Sequence, residues 1–339
     1  MTRQQKWMAG LGAGAAAMFA ARYAMRNRHA ISFEGRVVVI TGGSRGLGLV
    51  IARQLAGEGA RLCLLARDTE ELDRARAQLP PEAEVMTLRC DVRRRADVRH
   101  AMDRLLEKWT AVDVLINNAG VIQVGPLEHM TSGDFEDSMA THFWGPLHLM
   151  FECVPAMRRR GFGRIVNIAS IGGKVAVAHL APYCASKFAL VGLSDAVRAE
   201  LDQYGIRVTT VAPGLMRTGG PLNAQFKGQH EQEYAWFAIA DSLPSLTISA
   251  ERAARKIIEA CRFGDPELTI TPVAKIAVRV NHLAPGLAAR VMAAANRLLP
   301  GPNGAEGDAR RPGHHSQSKW TDSVATMLTD RAAAANNEL

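Results

Sequence analysis

RVVVITGGSRGLGLVIARQLA, residues 36–56, is the stretch on which the fold turns. Residues 37–40 are three valines and an isoleucine, an apolar β-branched run with no polar face, the pattern of a strand covered on both sides. Residues 49–56 then place their apolar side chains at helical intervals. Between them lies TGGSRGLG, Thr41 to Gly48. Glycines at a strand-to-helix turn let the backbone approach an anion, and the free N–H groups and dipole of the helix start face it. The strand before and the helix after are the context a pyrophosphate-binding turn requires. The spacing is G-x3-G-x-G rather than G-x-G-x-x-G, and a purely structural glycine turn is the alternative reading.

Six further apolar runs follow: RLCLLA (61–66), AEVMTLRC (83–90), VDVLINN (112–118), GRIVNIAS (163–170), IRVTTVA (206–212) and ELTIT (267–271). Segments of helical periodicity separate them. Doubly covered strands alternating with helices predict an α/β fold: one Rossmann-type, doubly wound domain with a seven-stranded parallel sheet and helices on both faces. On this reading residues 34–272 form the core domain, 273–299 a helical extension, 300–319 a disordered linker and 320–339 a short C-terminal helix carrying Trp320, Val324, Met327 and Leu328 on one face. In 275–299, Ile276, Val280, Leu283, Leu287, Val291 and Leu298 recur near helical spacing, with Lys275, Arg279, His282, Arg290 and Arg297 along another side. Pro285-Gly286 must interrupt that helix. Such a segment can cover a sheet edge or lie on a membrane surface.

The chain has 339 residues, 47% hydrophobic and 22% charged, with a formal net charge of +8. That is a globular composition, long enough for a sizeable core. The charge does not point to nucleic acid. Arg3, Lys6, Arg22, Arg26 and Arg28 supply five of the eight, and no arginine-rich run interleaves with aromatics. These cations flank the uncharged WMAGLGAGAAAMFAA of residues 7–21. As a helix that stretch is roughly 22 Å long, short of the ~30 Å hydrocarbon core, and snorkelling by Arg22 would extend it over residues 7–25. A membrane anchor or interfacial helix, a cleavable signal peptide and a packed or loose extension all fit. The charge after the segment exceeds that before it, so an anchored body would face the cytoplasm. Cys63, Cys90, Cys153, Cys184 and Cys261 are widely spaced, with no CxxC and no zinc-like His spacing. Buried free thiols, without disulfide or metal site, are expected.

Two constellations carry chemistry. An acidic residue ending the second strand would bind adenosine ribose hydroxyls. Here the strand ends Leu65-Ala66-Arg67, so the acid is missing and Arg67, helped by Arg45 in the turn, can fork onto a 2′-phosphate. This points to NADP(H). Further on, Ser170 ends the fifth strand and YCASK (183–187) opens a helical segment, which puts Tyr183 and Lys187 on one face a turn apart. A free tyrosine titrates near ~10, and an ammonium beside it would lower that value. With a serine to hold a substrate oxygen, these are the parts for passing a proton to or from a carbinol while a hydride moves.

In these motifs the chain resembles the classical short-chain dehydrogenase/reductase family over about residues 34–272. The resemblance rests on TGGSRGLG, Asp91-Val92 after the third strand, NNAG at 117–120, Ser170, YCASK, and Pro213-Gly214 with Thr218. It implies cofactor contacts from Thr41, Gly42, Ser44, Arg45, Gly46, Leu47, Gly48, Arg67, Asp91, Val92, Asn118, Ala119, Gly120, Pro213, Gly214 and Thr218. It implies Tyr183 as general acid/base, also in contact with the cofactor, and Lys187 on the nicotinamide ribose. It also implies a small-molecule substrate and a homo-oligomer. One departure stands out: His142 occupies the place of the family's usual asparagine, in HFWG at 142–145. A histidine there can relay protons with a pH dependence near ~6.5, or be simply a tolerated replacement. The segment after Pro213-Gly214, with Leu222, Phe226, Tyr234, Trp236, Phe237 and Ile239, is expected to close over a lipophilic substrate, and packing of the lid's own helix by these residues is an overlapping reading.

Overall fold

The computed structural model describes residues 26–243, 246–318, 321 and 326–339. The apolar segment at 7–25, Trp320 and Val324 lie outside these. All seven expected strands form: β1 (Val37–Thr41), β2 (Arg61–Ala66), β3 (Val85–Arg89), β4 (Val114–Asn117), β5 (Gly163–Ile168), β6 (Ile206–Ala212) and β7 (Glu267–Thr269). They make one parallel sheet in the order β3-β2-β1-β4-β5-β6-β7.

The alternation along β1 shows why its sequence is apolar throughout. Val38 and Ile40 enter a core with α1 (Gly46–Gly57) and α8 (Ala250–Phe263). Val37 and Val39 enter the opposite core with α3 (Arg95–Lys108) and α5 (Gly145–Arg160). Between these helices lie α2 (Thr69–Ala77) and α4 (Ser132–Met139), and α6 (Ala181–Leu201) and α7 (His230–Ser242) follow α5. The winding reverses between β1 and β4, and the crevice beyond their C-terminal ends is where such sheets bind ligands.

The C-terminal third departs from expectation in two places. Proline does break the extension, into α9 (Pro272–Leu283) and α10 (Pro285–Asn296). These helices bury little, however. Only Ala274 and Val278 of α9 are buried and none of α10, whereas Ile276, Leu283, Leu287, Val291 and Leu298 are all more than half exposed. Covering a sheet edge is not what this pair does. No helix among the described residues is long and apolar enough to cross a membrane.

The stretch read as a disordered linker is folded as far as Ser318. Arg311–Pro312 pairs antiparallel with Gln225–Phe226, and that strand pairs with Gln123–Val124. Arg310 donates to Asp134 (2.8 Å), His129 meets Asp308 (2.9 Å), and the Gly228 N–H donates to the Gly307 carbonyl (2.9 Å). A polar, glycine-rich composition cannot build its own core, but polar and backbone partners already held by the sheet domain replace that need. Last comes α11 (Met327–Ala335), whose Thr329 shares a hydrogen bond with Ser242 of α7 (2.6 Å).

Candidate active site

The turn after β1 is closed by glycine at two demanding places. Gly46 has φ +54°, and a methyl on Gly48 would overlap the Gly42 carbonyl. The Thr41 hydroxyl accepts the N–H groups of Asn118 and Ala119, each at 2.9 Å. The Asn118 side chain donates to the carbonyls of Thr41 (3.1 Å) and Gly42 (3.2 Å). These bonds lock the ends of β1 and β4 together. Below them Asn117 donates to Asn167 (2.8 Å), which donates to Ser194 of α6 (2.8 Å). This buried ladder ties the crevice floor to the helix that carries Tyr183. Leu47 packs inward into the β1–α1 core.

At the far end of the crevice, Arg67, Arg89 and Arg94 line a cavity of ≈ 240 Å³ with Asp91 and Asp97. Arg67 is exposed, as a phosphate-binding cation would be. Asp91 is held by a fork from Arg93 (2.7 and 3.0 Å). Burial would raise its pKa, but the Arg93 hydrogen bonds outweigh that and leave it below the usual value. Val92 packs on Gly145. On the other side the Pro213 carbonyl accepts the Ile171 N–H (2.7 Å), Gly214 sits tightly under Thr271, and the Thr218 hydroxyl accepts the Gly220 N–H (3.2 Å). A glycine cradle at a helix start and a guanidinium cluster at the far end of the crevice are groups that could hold a dinucleotide.

Arg45 behaves differently from its sequence reading. Its guanidinium is already engaged by Glu71 (3.1 Å), Asn223 (2.7 Å) and Glu338 (3.5 Å), and Ser44 donates to Glu71 (2.8 Å). The help it was expected to give a 2′-phosphate is taken up by carboxylates, leaving Arg67 with Arg89 and Arg94. Nothing local in the sequence marks Glu71, Asn223 or Glu338 as partners of the turn, because the latter two arrive from far along the chain.

Ser170, Tyr183 and Lys187 converge. Ser170 follows β5, and its hydroxyl accepts the Gly172 N–H (3.0 Å). Tyr183 and Lys187 stand one turn apart near the start of α6, which Pro182 helps initiate. Tyr183 hydrogen-bonds Ser170, and the Lys187 ammonium lies 5.6 Å from the Tyr183 ring centre. Lys187 is buried and donates to the Ile168 carbonyl (2.8 Å). Burial pushes the Tyr183 phenol up to about 12, against a smaller lowering from Ser170, and pulls Lys187 down to about 7. The lowering of the tyrosine expected from an ammonium does not arise here: desolvation disfavours charge on both groups.

His142 lies in a π-helical turn, Ala140–Trp144, between α4 and α5. It is buried, edge-on to Tyr183 with ring centres 5.5 Å apart. Its Nε2 accepts the Val121 N–H (3.1 Å), so its Nδ1 carries the proton and donates to Ser186 (2.8 Å). Ser186 in turn donates to the Tyr183 carbonyl (2.8 Å). Burial, and then repulsion from Lys187, hold its pKa well below the ordinary histidine value. A relay titrating near 6.5 does not fit this environment. Here the ring is a neutral strut that joins the NNAG turn to α6.

The aromatic segment is also reassigned. Leu222, Phe226, Tyr234 and Phe237 are buried in a cluster with Val124, Leu180 and Ala333, and Trp236 packs against it while donating to Glu233 (2.7 Å). These four build a core for the segment itself, while Trp236 and Ile239 are only partly buried. An apolar groove of ≈ 420 Å³ lies instead between Val175, Ala176 and Ala178, just past Ser170, and Ala288, Ala289 and Met292 of α10.

Residues 36–226 match the model of the short chain dehydrogenase family. Dehydrogenase/reductase SDR family member 7B of Bos taurus is 32% identical over 269 residues, covering 77% of this chain and 81% of the relative. A short-chain dehydrogenase from Streptomyces avermitilis superposes with a TM-score of 0.66 at 29% identity, over 79% of this chain and 98% of that one. A short chain dehydrogenase from Burkholderia cenocepacia, solved with NADP, gives 0.64 at 26%, over 77% and 99%. The chain belongs to the short chain dehydrogenase family and is an oxidoreductase.

Proposed function

We propose that the chain is an NADP(H)-dependent dehydrogenase/reductase that interconverts a carbonyl and a secondary alcohol on a lipophilic small molecule. The convergence of Ser170, Tyr183 and Lys187 at the crevice mouth carries this reading. The bound dinucleotide would supply or accept the hydride. Thr41, Gly42, Gly46, Leu47, Gly48, Asn118, Ala119 and Gly120 would border its phosphates and nicotinamide side, Asp91 and Val92 its adenine, and Pro213, Gly214 and Thr218 its nicotinamide. Arg67 beside Arg89 supports the choice of a 2′-phosphate, as does the NADP complex of the Burkholderia relative.

Ser170 would hold the substrate oxygen. Tyr183, protonated at pH 7 and the more so because burial raises its pKa to about 12, would donate its proton to the alkoxide formed on reduction. Lys187 would orient the ribose and return a proton to the tyrosine. The apolar groove beside α10 supports a lipophilic substrate. Trp144, Phe151 and Phe188 are 43–55% exposed on and around α5 and α6, which supports a homo-oligomer. Membrane association through residues 7–25 belongs to the same reading, and release of the protein by carbonate washing would refute a spanning anchor.

Tyr183→Phe is expected to cut carbonyl-dependent NADPH oxidation by roughly 10²–10⁴-fold while leaving the NADPH Kd unchanged. Turnover that survives the substitution sinks the mechanism. Tight NADPH binding with no turnover on any carbonyl would favour a non-catalytic regulator. Arg67→Ser is expected to weaken NADPH more than NADH.

A further inference from the structure

The last residues of the chain reach the phosphate turn. The Gly46 N–H, the first of helix α1, donates to the Asn336 carbonyl (2.8 Å). The Asn337 side chain donates to the carbonyls of Ser44 (2.9 Å) and Glu71 (3.1 Å). Arg53 reaches the Ala335 carbonyl (2.7 Å), and Arg74 reaches the Asn337 amide oxygen (3.0 Å). The Glu338 carboxylate, with only 7% of its side chain exposed, lies on Arg45 and accepts from Asn223 (2.7 Å). One of its oxygens sits where a side chain on Gly46 would begin. That space is open only because residue 46 is glycine.

We propose that residues 336–339 and the dinucleotide compete for the phosphate turn, with the Glu338 carboxylate standing where a cofactor phosphate would be held. The proposal rests on the cofactor reading above. The chemistry required of the two occupants is the same: an anion beside the α1 N-terminus and Arg45, and an oxygen acceptor for the Gly46 N–H. A phosphate added beside the Glu338 carboxylate would find no free cation there among the described residues. Arg45 already serves two carboxylates, Glu71 and Glu338. Burial raises Glu338 to about 7, although Arg45 and Asn223 pull it the other way.

The tail is hinged by α11. Ala333 is fully buried against Gly219 of the lid, and Thr329 bonds Ser242. Residues 336–339 can therefore leave the turn while α11 stays on the lid. Because only the fraction of molecules with a free turn binds, the tail lowers the apparent affinity for the cofactor.

The test compares the full chain, a chain ending at Ala335 and the Glu338→Gln variant, with NADPH binding read by calorimetry. The shortened chain is expected to bind at least about tenfold more tightly and Glu338→Gln to bind more tightly by a smaller factor. A synthetic peptide of residues 326–339 should weaken binding to the shortened chain. NADPH should also speed removal of the full chain's last residues by carboxypeptidase. Equal or weaker binding by both altered chains overturns the proposal and leaves the cofactor reading intact, as does protection of the tail by NADPH. Failure of every form to bind any dinucleotide overturns both.

Discussion

At the scale of single residues, burial decides the chemistry of the site more than neighbouring charge does. Lys187 is 4% exposed and its pKa falls to about 7, so between about pH 7 and its ordinary value the unfolded chain holds a proton that the folded chain lacks. Stability should therefore rise with pH across that window, and the full cost of the buried ammonium is felt below pH 7. Lys187→Met is expected to abolish turnover yet raise the Tm, most at pH 7 and below and little near pH 10. The gain is on the order of 4 kcal/mol at most, because the Ile168 carbonyl loses its donor. A Tm that falls at every pH would show that the hydrogen bond outweighs desolvation. His142 illustrates the same rule. The sequence shows a titratable ring in an unusual place, and only packing reveals that both nitrogens are committed.

Among the elements, the strap of residues 303–316 shows what composition alone misses. It is held by Asp134, fully buried, which accepts from Lys227 (2.8 Å), from Arg310 (2.8 Å) and from the Thr131 N–H (2.7 Å) at the start of α4. Burial alone would raise the Asp134 pKa, but these partners outweigh it and place it below the free value. Its contribution is therefore present above about pH 4 and lost as pH falls through the lowered value. Asp134→Asn, which leaves Lys227 buried without its anion, is expected to cost about 3–5 kcal/mol. Urea unfolding at pH 7 and at pH 3.5 checks this: the difference from the parent chain should shrink at the lower pH. An equal deficit at both would assign the loss to packing. The strap was illegible because its polar residues have partners about 170 positions away in sequence, such as Arg310 with Asp134.

On the scale of the whole molecule, two groups of exposed apolar side chains stand out among the described residues, the α9–α10 pair and the aromatics on and around α5 and α6. The second is the expected assembly face. Sedimentation velocity should find an oligomer of the full chain, and Phe151→Glu with Phe188→Glu should shift it to monomer without loss of helical circular dichroism. A parent chain that sediments as a monomer at micromolar concentration removes the expectation.

The strands, their burial on both faces, the glycine turn and the Ser170–Tyr183–Lys187 spacing were all readable in the chain. Each depends on residues close in sequence or on a period that a strand or helix enforces. Their convergence follows from one sheet order, which a parallel α/β pattern nearly dictates. What the tertiary structure alone decided is everything that depends on distant partners and on dielectric. Arg45 is neutralised by Glu71 and Glu338, Tyr183 and Lys187 lean toward their uncharged forms, the lid aromatics face inward, and the C-terminal residues lie on the phosphate turn. Local sequence sets which groups are available, but desolvation and pairing are set by what the rest of the chain packs against them.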